Sequence, residues 1–265
     1  MIKASYILVS RNDNYCGDSL GRLCNTLNFL GEALSKTNNL SYSELVLVDW
    51  ASPDKPLKDI LPKKINNHIK SILKIVTVPP LTAQKYQKDS PFSEVHAMNC
   101  AFRNISGKYF MRIDQDTLVG YRFIDWFYNI FEVKNFGFKW PRAAFSGRRN
   151  LSSQESLDFR HIIRDQKLSK EIDILHPINY SNTIFPKPMI IPFYGSAVGI
   201  MIIERELFIE KKGFNEELIY MNQMDVEFLN RISYKEIIYN LSRKIENDFY
   251  HQNHDRSEAA ASDLQ

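Results

Sequence analysis

Short runs of consecutive apolar residues alternate with stretches in which apolar residues recur every three or four positions. Tyr6-Ile7-Leu8-Val9 and Leu45-Val46-Leu47-Val48 read as strands buried on both faces, and residues 72–78 as a third strand. Between the first two, Leu20, Leu23, Cys24, Leu27, Leu30 and Leu34 mark one face of a helix. Asp18 or Ser19 can cap its start, and Asn38-Asn39 stops it. Residues 58–69 are weakly helical, and Pro79-Pro80 closes the third strand. Residues 81–92 are polar, show no clear period and read as a loop. This strand–helix–strand order predicts a parallel sheet with right-handed crossovers.

The second half continues in the same style. Val95, Met98, Phe102 and Ile105 share a helical face over 94–104, with Gly107 suited to the end. A strand follows to Ile113. Phe123, Trp126, Phe127, Ile130 and Phe131 form an aromatic stripe, read as core-facing rather than membrane-bound. Residues 136–192 are irregular, with charged, Ser-rich and Pro-rich pieces, and a segment of that length within a compact domain points to function. Then come a strand over 197–203, a short helix over 205–212 closed by Gly213, and a helix over 225–234 that Asp225 can cap. Extended pieces start at Ile237 and Ile245, the latter reaching His251 and His254, and residues 257–265 read as a disordered tail. Neither an internal repeat nor a domain linker is evident. The expected architecture is one α/β Rossmann-type domain over 1–256, in two halves of about 1–120 and about 121–256.

Bulk properties narrow the function classes. The 265 residues carry 34 basic and 31 acidic side chains, a net charge of +3. That balance does not suit a dedicated nucleic-acid binder. Three dispersed cysteines, Cys16, Cys24 and Cys100, suggest reduced thiols in a cytosol-like compartment. The first residues are too short and polar a run for a signal peptide, and no later run reaches membrane-spanning length. A cytoplasmic location is expected, with the inner membrane face as a permitted variant.

The chemistry centres on Asp114-Gln115-Asp116, directly after the apolar run that ends at Ile113. In extended chain both carboxylates point the same way and repel unless a cation lies between them. Open α/β sheets also bind ligands at strand carboxyl ends. A turn with solvated aspartates is the competing reading.

Several pieces together resemble a GT-A-type glycosyltransferase of the family 2 kind. They are Glu44-Leu45-Val46-Leu47-Val48-Asp49-Trp50-Ala51-Ser52, then residues 99–116 ending in Asp-x-Asp, then Gly213-Phe214-Asn215-Glu216-Glu217, then Met224-Asp225-Val226-Glu227-Phe228-Leu229. The resemblance implies a nucleotide-diphosphate sugar donor, UDP-linked, and a bound Mn²⁺ or Mg²⁺. It makes Asp116 the more direct metal ligand and sets Asp114 near the ribose or indirectly on the metal, with Gln115 in the donor-binding set. His251 and His254, late in the chain, complete the metal shell, His254 ahead of His251; a frayed tail is the other reading. Asp225 becomes the general base of an inverting transfer, with Glu227 as back-up and simple N-capping as the alternative. Met224 stands where the family has Glu, which bears on the acceptor. Asp49 is the expected base contact, with Trp50 in place of a second Asp. Arg11, Asn12 and Asp13 could line the same nucleotide pocket, and Arg103 could reach a phosphate or be a solvated helix end. Gly195-Ser196-Ala197 resembles the acceptor-side wall.

The expected partners are the donor and a glycan or glycolipid acceptor, with peripheral membrane contact permitted and no nucleic acid. A haloacid dehalogenase-like phosphatase also carries Asp-x-Asp after a strand, but Leu118 stands where it needs Thr or Val. A nucleotidyltransferase lacks its Gly-rich basic loop here. A non-catalytic GT-A-like binding protein is the third alternative.

Overall fold

A computed structural model describes residues 1–131, 142–151, 188–189, 199–219, 224–236, 238–241 and 248–254. Most of 136–192, Gly195-Ser196-Ala197, Ile245 and the tail 257–265 lie outside the described residues.

An eight-stranded sheet forms the centre. In chain order its strands are β1 (Ala4–Ser10), β2 (Ser43–Trp50), β3 (Leu73–Val78), β4 (Tyr109–Ile113), β6 (Ala143–Ser146), β8 (Pro188–Met189), β9 (Ile200–Glu204) and β10 (Ile238–Asn240). Their spatial order is 3-2-1-4-9-6-10-8. β9 runs antiparallel to β4 and β6, and β8 runs antiparallel to β10; the other six strands are parallel. The order reverses between β1 and β4, so a crevice opens outside their carboxyl ends, where such sheets bind ligands.

The alternation of side chains along each strand builds two cores. Tyr6, Leu8, Leu45, Leu47, Met111 and Ile202 face one layer. Ile7, Val9, Val46, Val48, Phe110 and Met201 face the other. The first layer holds helices α1 (Ser19–Lys36), α3 (Asn67–Lys70) and α6 (Tyr121–Trp126); the second holds α5 (Glu94–Phe102), α7 (Arg205–Glu210) and α8 (Met224–Ser233). Burial on both faces is why these strands read as unbroken apolar runs. Asp18 caps α1 by accepting from the Gly21 N–H. Gly213, at φ +75°, follows α7 in the left-handed region that glycine adopts without strain.

Three expectations change. Residues 80–87 form helix α4 (Pro80–Gln87), not a loop. Pro79-Pro80 ends β3 and also starts this helix, since proline's fixed φ suits the first helical position. Only Ala83 of α4 is buried, so no apolar stripe announces it. Residues 58–69 break into α2 (Leu57–Ile60), a 3₁₀ turn at Leu61–Lys63 and α3, because Pro62 interrupts the ladder. Leu57, Leu61, Ile65 and Ile69 still keep a buried spacing of four. The irregular segment contributes β6 to the main sheet and β7 (Arg149–Asn150) to a second one. Of the aromatic stripe, Phe123, Trp126 and Phe127 are buried in the core, and α6 passes into a π-turn over Phe127–Phe131.

The second sheet has three strands in the order β5 (Thr117–Val119), β11 (Phe249–His251), β7. β11 pairs antiparallel with β5 and parallel with β7. It therefore returns the far end of the chain to the residues just after Asp116. The three cysteines form no disulfide, and among the described residues no helix is long and apolar enough to cross a membrane.

Candidate active site

β4 delivers Asp114 and Asp116 to the crevice. Past Ile113 the chain turns, with the Thr117 N–H donating to the Asp114 carbonyl at 3.0 Å. β11 brings His251 opposite Thr117, and the Gln252 N–H donates to the Asp116 carbonyl at 2.9 Å. Asp116 Oδ2 then lies 3.2 Å from His251 Nε2 and 3.0 Å from His254 Nε2. These three donor atoms lie within 4.8 Å of one another. Burial on its own would raise the Asp116 pKa. The hydrogen bonds from His251 and His254 and the charge of Arg148 outweigh it and hold the carboxyl well below its usual range.

One carboxylate and two imidazoles on a shared centre fit a divalent transition ion better than Ca²⁺. The donor set thus suits Mn²⁺, one of the two expected cations. Asp114 stands outside this trio. Its Oδ1 meets Arg112 at 2.9 Å and its Oδ2 meets Arg148 at 3.0 Å.

The histidines are anchored rather than frayed. The Gln252 side chain donates to the Arg22 carbonyl at 3.0 Å and to Thr26 Oγ1 at 3.1 Å, and accepts from Asn25 Nδ2 at 3.0 Å. Arg22, nearly fully buried, in turn donates to the carbonyls of Tyr15, Cys16 and Gly17. One face of α1 therefore ties the loop after β1 to the chain end. Before β11, Asp248 accepts from the Phe123 N–H at 2.5 Å and fixes the start of α6.

A second constellation surrounds Arg112 on β4. The strand's alternation turns Arg112 to the layer of α5 and α8, whose first turns carry Glu94 and Asp225. Arg112 lies 3.0 Å from Glu94, 2.9 Å from Asp114 and 3.4 Å from Asp225. Burial disfavours its charge, but Asp114, Glu94 and Asp225 outweigh that and raise the Arg112 pKa above its ordinary value. Burial pushes the Glu94 carboxyl up, against the pull of Arg112. Asp225 lies at the start of α8, as the sequence suggested, and is 3% exposed. Glu227 points elsewhere, pairing with Arg231 at 2.8 Å, so the back-up base lies off the Arg112 cluster.

The remaining candidates divide. Gln115 accepts from Ser10 Oγ at 2.5 Å, joining the ends of β1 and β4. Asn12 meets the loop after β2, its N–H donating to Ser52 Oγ at 2.8 Å and its Nδ2 to the Lys55 carbonyl at 3.1 Å, while Arg11 donates to the Pro91 carbonyl and pairs with Asp13 at 3.0 Å. Asp49 was expected at the nucleotide base, but it is fully buried. Its carboxylate accepts from the Ser52 N–H at 3.2 Å and the Leu57 N–H at 2.9 Å, so it shapes the loop. Trp50 is also buried, its Nε1 donating to Gln87 at 2.8 Å. Of the two readings of Arg103, the solvated helix end is the one seen: it lies at the C-cap of α5 with its side chain 70% exposed. α5 runs antiparallel to β4, which puts Glu94 beside the aspartates and Arg103 at the opposite end of the sheet. There Arg103 pairs with Glu216 at 3.5 Å and lines a separate cavity with Phe208 and Glu227.

Arg112 and Arg148 escaped the sequence reading. Arg112 sits within an apolar run, and that break in the pattern was its signal. Arg148 lies in a stretch without a motif.

No protein-family model matches the chain, and no curated protein matches it in sequence. Solved structures do match in fold. S. aureus TarS 1–349 superposes with a TM-score of 0.58 at 15% identity, covering 94% of this chain and 60% of that one. The same protein in complex with UDP-GlcNAc gives 0.56 at 13% identity, covering 96% and 59%. Its complex with UDP gives 0.53 at 14% identity, covering 94% and 60%. The fold is of the GT-A type, and the chain spans 60% of the length of TarS 1–349.

Proposed function

We propose that this chain is a metal-dependent, inverting glycosyltransferase. It moves a hexosyl or N-acetylhexosaminyl group from a nucleotide-diphosphate sugar, UDP-linked, to a hydroxyl of a glycan or glycolipid. The observation that carries the reading is the convergence of Asp116, His251 and His254 outside the carboxyl ends of β1 and β4. The complexes of the similarly folded TarS with UDP and UDP-GlcNAc support a UDP donor.

Asp116, His251 and His254 would hold a Mn²⁺ or Mg²⁺ ion, whose charge would offset that of the departing nucleotide diphosphate. The protein's own groups do the rest. Arg11, Asn12 and Asp13, with the loop that Asp49 shapes, form the wall for the nucleotide. Asp114 faces the donor. Asp225 accepts the proton of the acceptor hydroxyl as its oxygen attacks the anomeric carbon. Arg112 fixes the spacing of Asp114 and Asp225 by binding both. Single displacement from the side of Asp225 inverts the anomeric centre. The phosphatase alternative needs Asp114 as nucleophile, yet its Oδ1 is held by the buried Arg112. A place at a membrane face follows only if the acceptor is lipid-linked.

A thermal-shift panel of UDP, GDP, CDP and their sugars, with and without Mn²⁺, tests the donor. UDP or a UDP-sugar should raise the melting temperature only with the metal. No metal-dependent shift with any nucleotide would remove the reading, and a shift by simple phosphate esters would favour the phosphatase.

A further inference from the structure

Arg148 makes one contact set that the proposed chemistry has not used. Its Nη1 lies 3.0 Å from Asp114 Oδ2, 2.8 Å from Asp116 Oδ1 and 2.7 Å from Thr117 Oγ1. A single guanidinium nitrogen thus spans both aspartates of the Asp-x-Asp pair. Its side chain is 12% exposed, so water screens these contacts poorly. Gly199 makes the room, since a Cβ there would overlap Arg148 Cγ.

Asp116 is therefore divided. Its Oδ2 faces the two imidazoles and its Oδ1 faces Arg148. A divalent cation on the imidazole side would sit beside a fixed positive charge. Coulomb repulsion over a few ångströms is severe in a site of reduced dielectric. Arg148 must then yield, and a guanidinium leaving two carboxylates needs another anion. A diphosphate offers paired oxygens matched to its fork of donors.

We propose that Arg148 is the resident counter-ion of this site. It neutralises Asp114 and Asp116 before the divalent cation binds, then turns to the diphosphate of the nucleotide once the cation is in place. The second half rests on the nucleotide-sugar reading above; the first does not. The arrangement makes cation and nucleotide bind together. The cation alone has to break a charge-assisted pair, whereas with the diphosphate present Arg148 regains a partner. By linkage, each ligand then strengthens the other to the same extent.

The test is Mn²⁺ affinity, read from the electron paramagnetic resonance of the unbound ion, with and without UDP. Wild type, Arg148→Gln, Arg148→Lys and Gly199→Ala are compared. Arg148→Gln should bind Mn²⁺ alone at least about fivefold tighter, the lower end of ordinary site-to-site coupling. Gly199→Ala should do the same by forcing the arm out of place, and it decides the matter if Arg148→Gln fails to fold. Arg148→Lys, which keeps the charge, should stay near wild type. UDP should raise Mn²⁺ affinity less in Arg148→Gln than in wild type. Unchanged Mn²⁺ affinity in Arg148→Gln and Gly199→Ala would overturn the counter-ion role. Equal UDP coupling in wild type and Arg148→Gln would overturn the diphosphate role. If UDP alters Mn²⁺ affinity in none of the proteins, the nucleotide reading fails, and the measurement with Mn²⁺ alone still decides the counter-ion role.

Discussion

Asp225 Oδ2 lies 3.4 Å from Arg112 Nη1, and the other terminal nitrogen of that guanidinium reaches Asp114 and Glu94 at 2.9 and 3.0 Å. The first residues of two helices and the end of one strand thus share a single buried cation. Replacing it by an apolar group leaves three carboxylates facing one another. Breaking a buried ion pair on one side costs about 3–5 kcal/mol. Arg112→Met should lose stability of that order, read as a lower urea midpoint with an unchanged slope.

Asp225→Asn keeps the size and an oxygen that can accept from Arg112, but removes the base. Transfer should fall about 10²–10⁴-fold, the usual contribution of a positioned acid or base. Metal-dependent UDP binding should persist. Transfer at the wild-type rate would reduce Asp225 to a structural group at the start of α8.

Gln252 predicts a coupling between fold and metal site. Its amide joins Arg22, Asn25 and Thr26 on α1 while its backbone holds Asp116. Gln252→Ala leaves buried polar partners unmet, at about 1–3 kcal/mol. It should also weaken Mn²⁺ binding, because His251 and His254 flank it in sequence. Weaker stability with intact Mn²⁺ affinity would separate the two effects.

Legibility in the sequence followed the physics of each element. Strands buried on both faces, and the α1 stripe from Leu20 to Leu34, carry strong apolar patterns and were readable to within a residue or two. Helix α4 was not, because it rests on the surface through Ala83 alone. Residue type and order pointed to the grouping of Asp116, His251 and His254 and to Asp225 in the first turn of a helix. Asp49 accepts from amides of its own loop, and in sequence an aspartate that caps a loop looks like one that binds a base. For Arg103 the sequence left a phosphate contact and a solvated helix end open, because only the direction of α5 tells which end of the sheet it occupies. Arg148 gave no local signal, since its partners lie more than 30 positions away and only the pairing of β7 with β11 brings it back to them.

The central claim is that Asp116, His251 and His254 form one cation site serving a nucleotide diphosphate. Equilibrium Mn²⁺ binding in the presence of UDP, wild type against Asp116→Asn, tests it most directly. Wild type should bind one Mn²⁺ per chain, and Asp116→Asn should bind it at least about tenfold more weakly, as even outer-shell partners of a metal cost that much. Equal affinity in the two proteins would contradict the account.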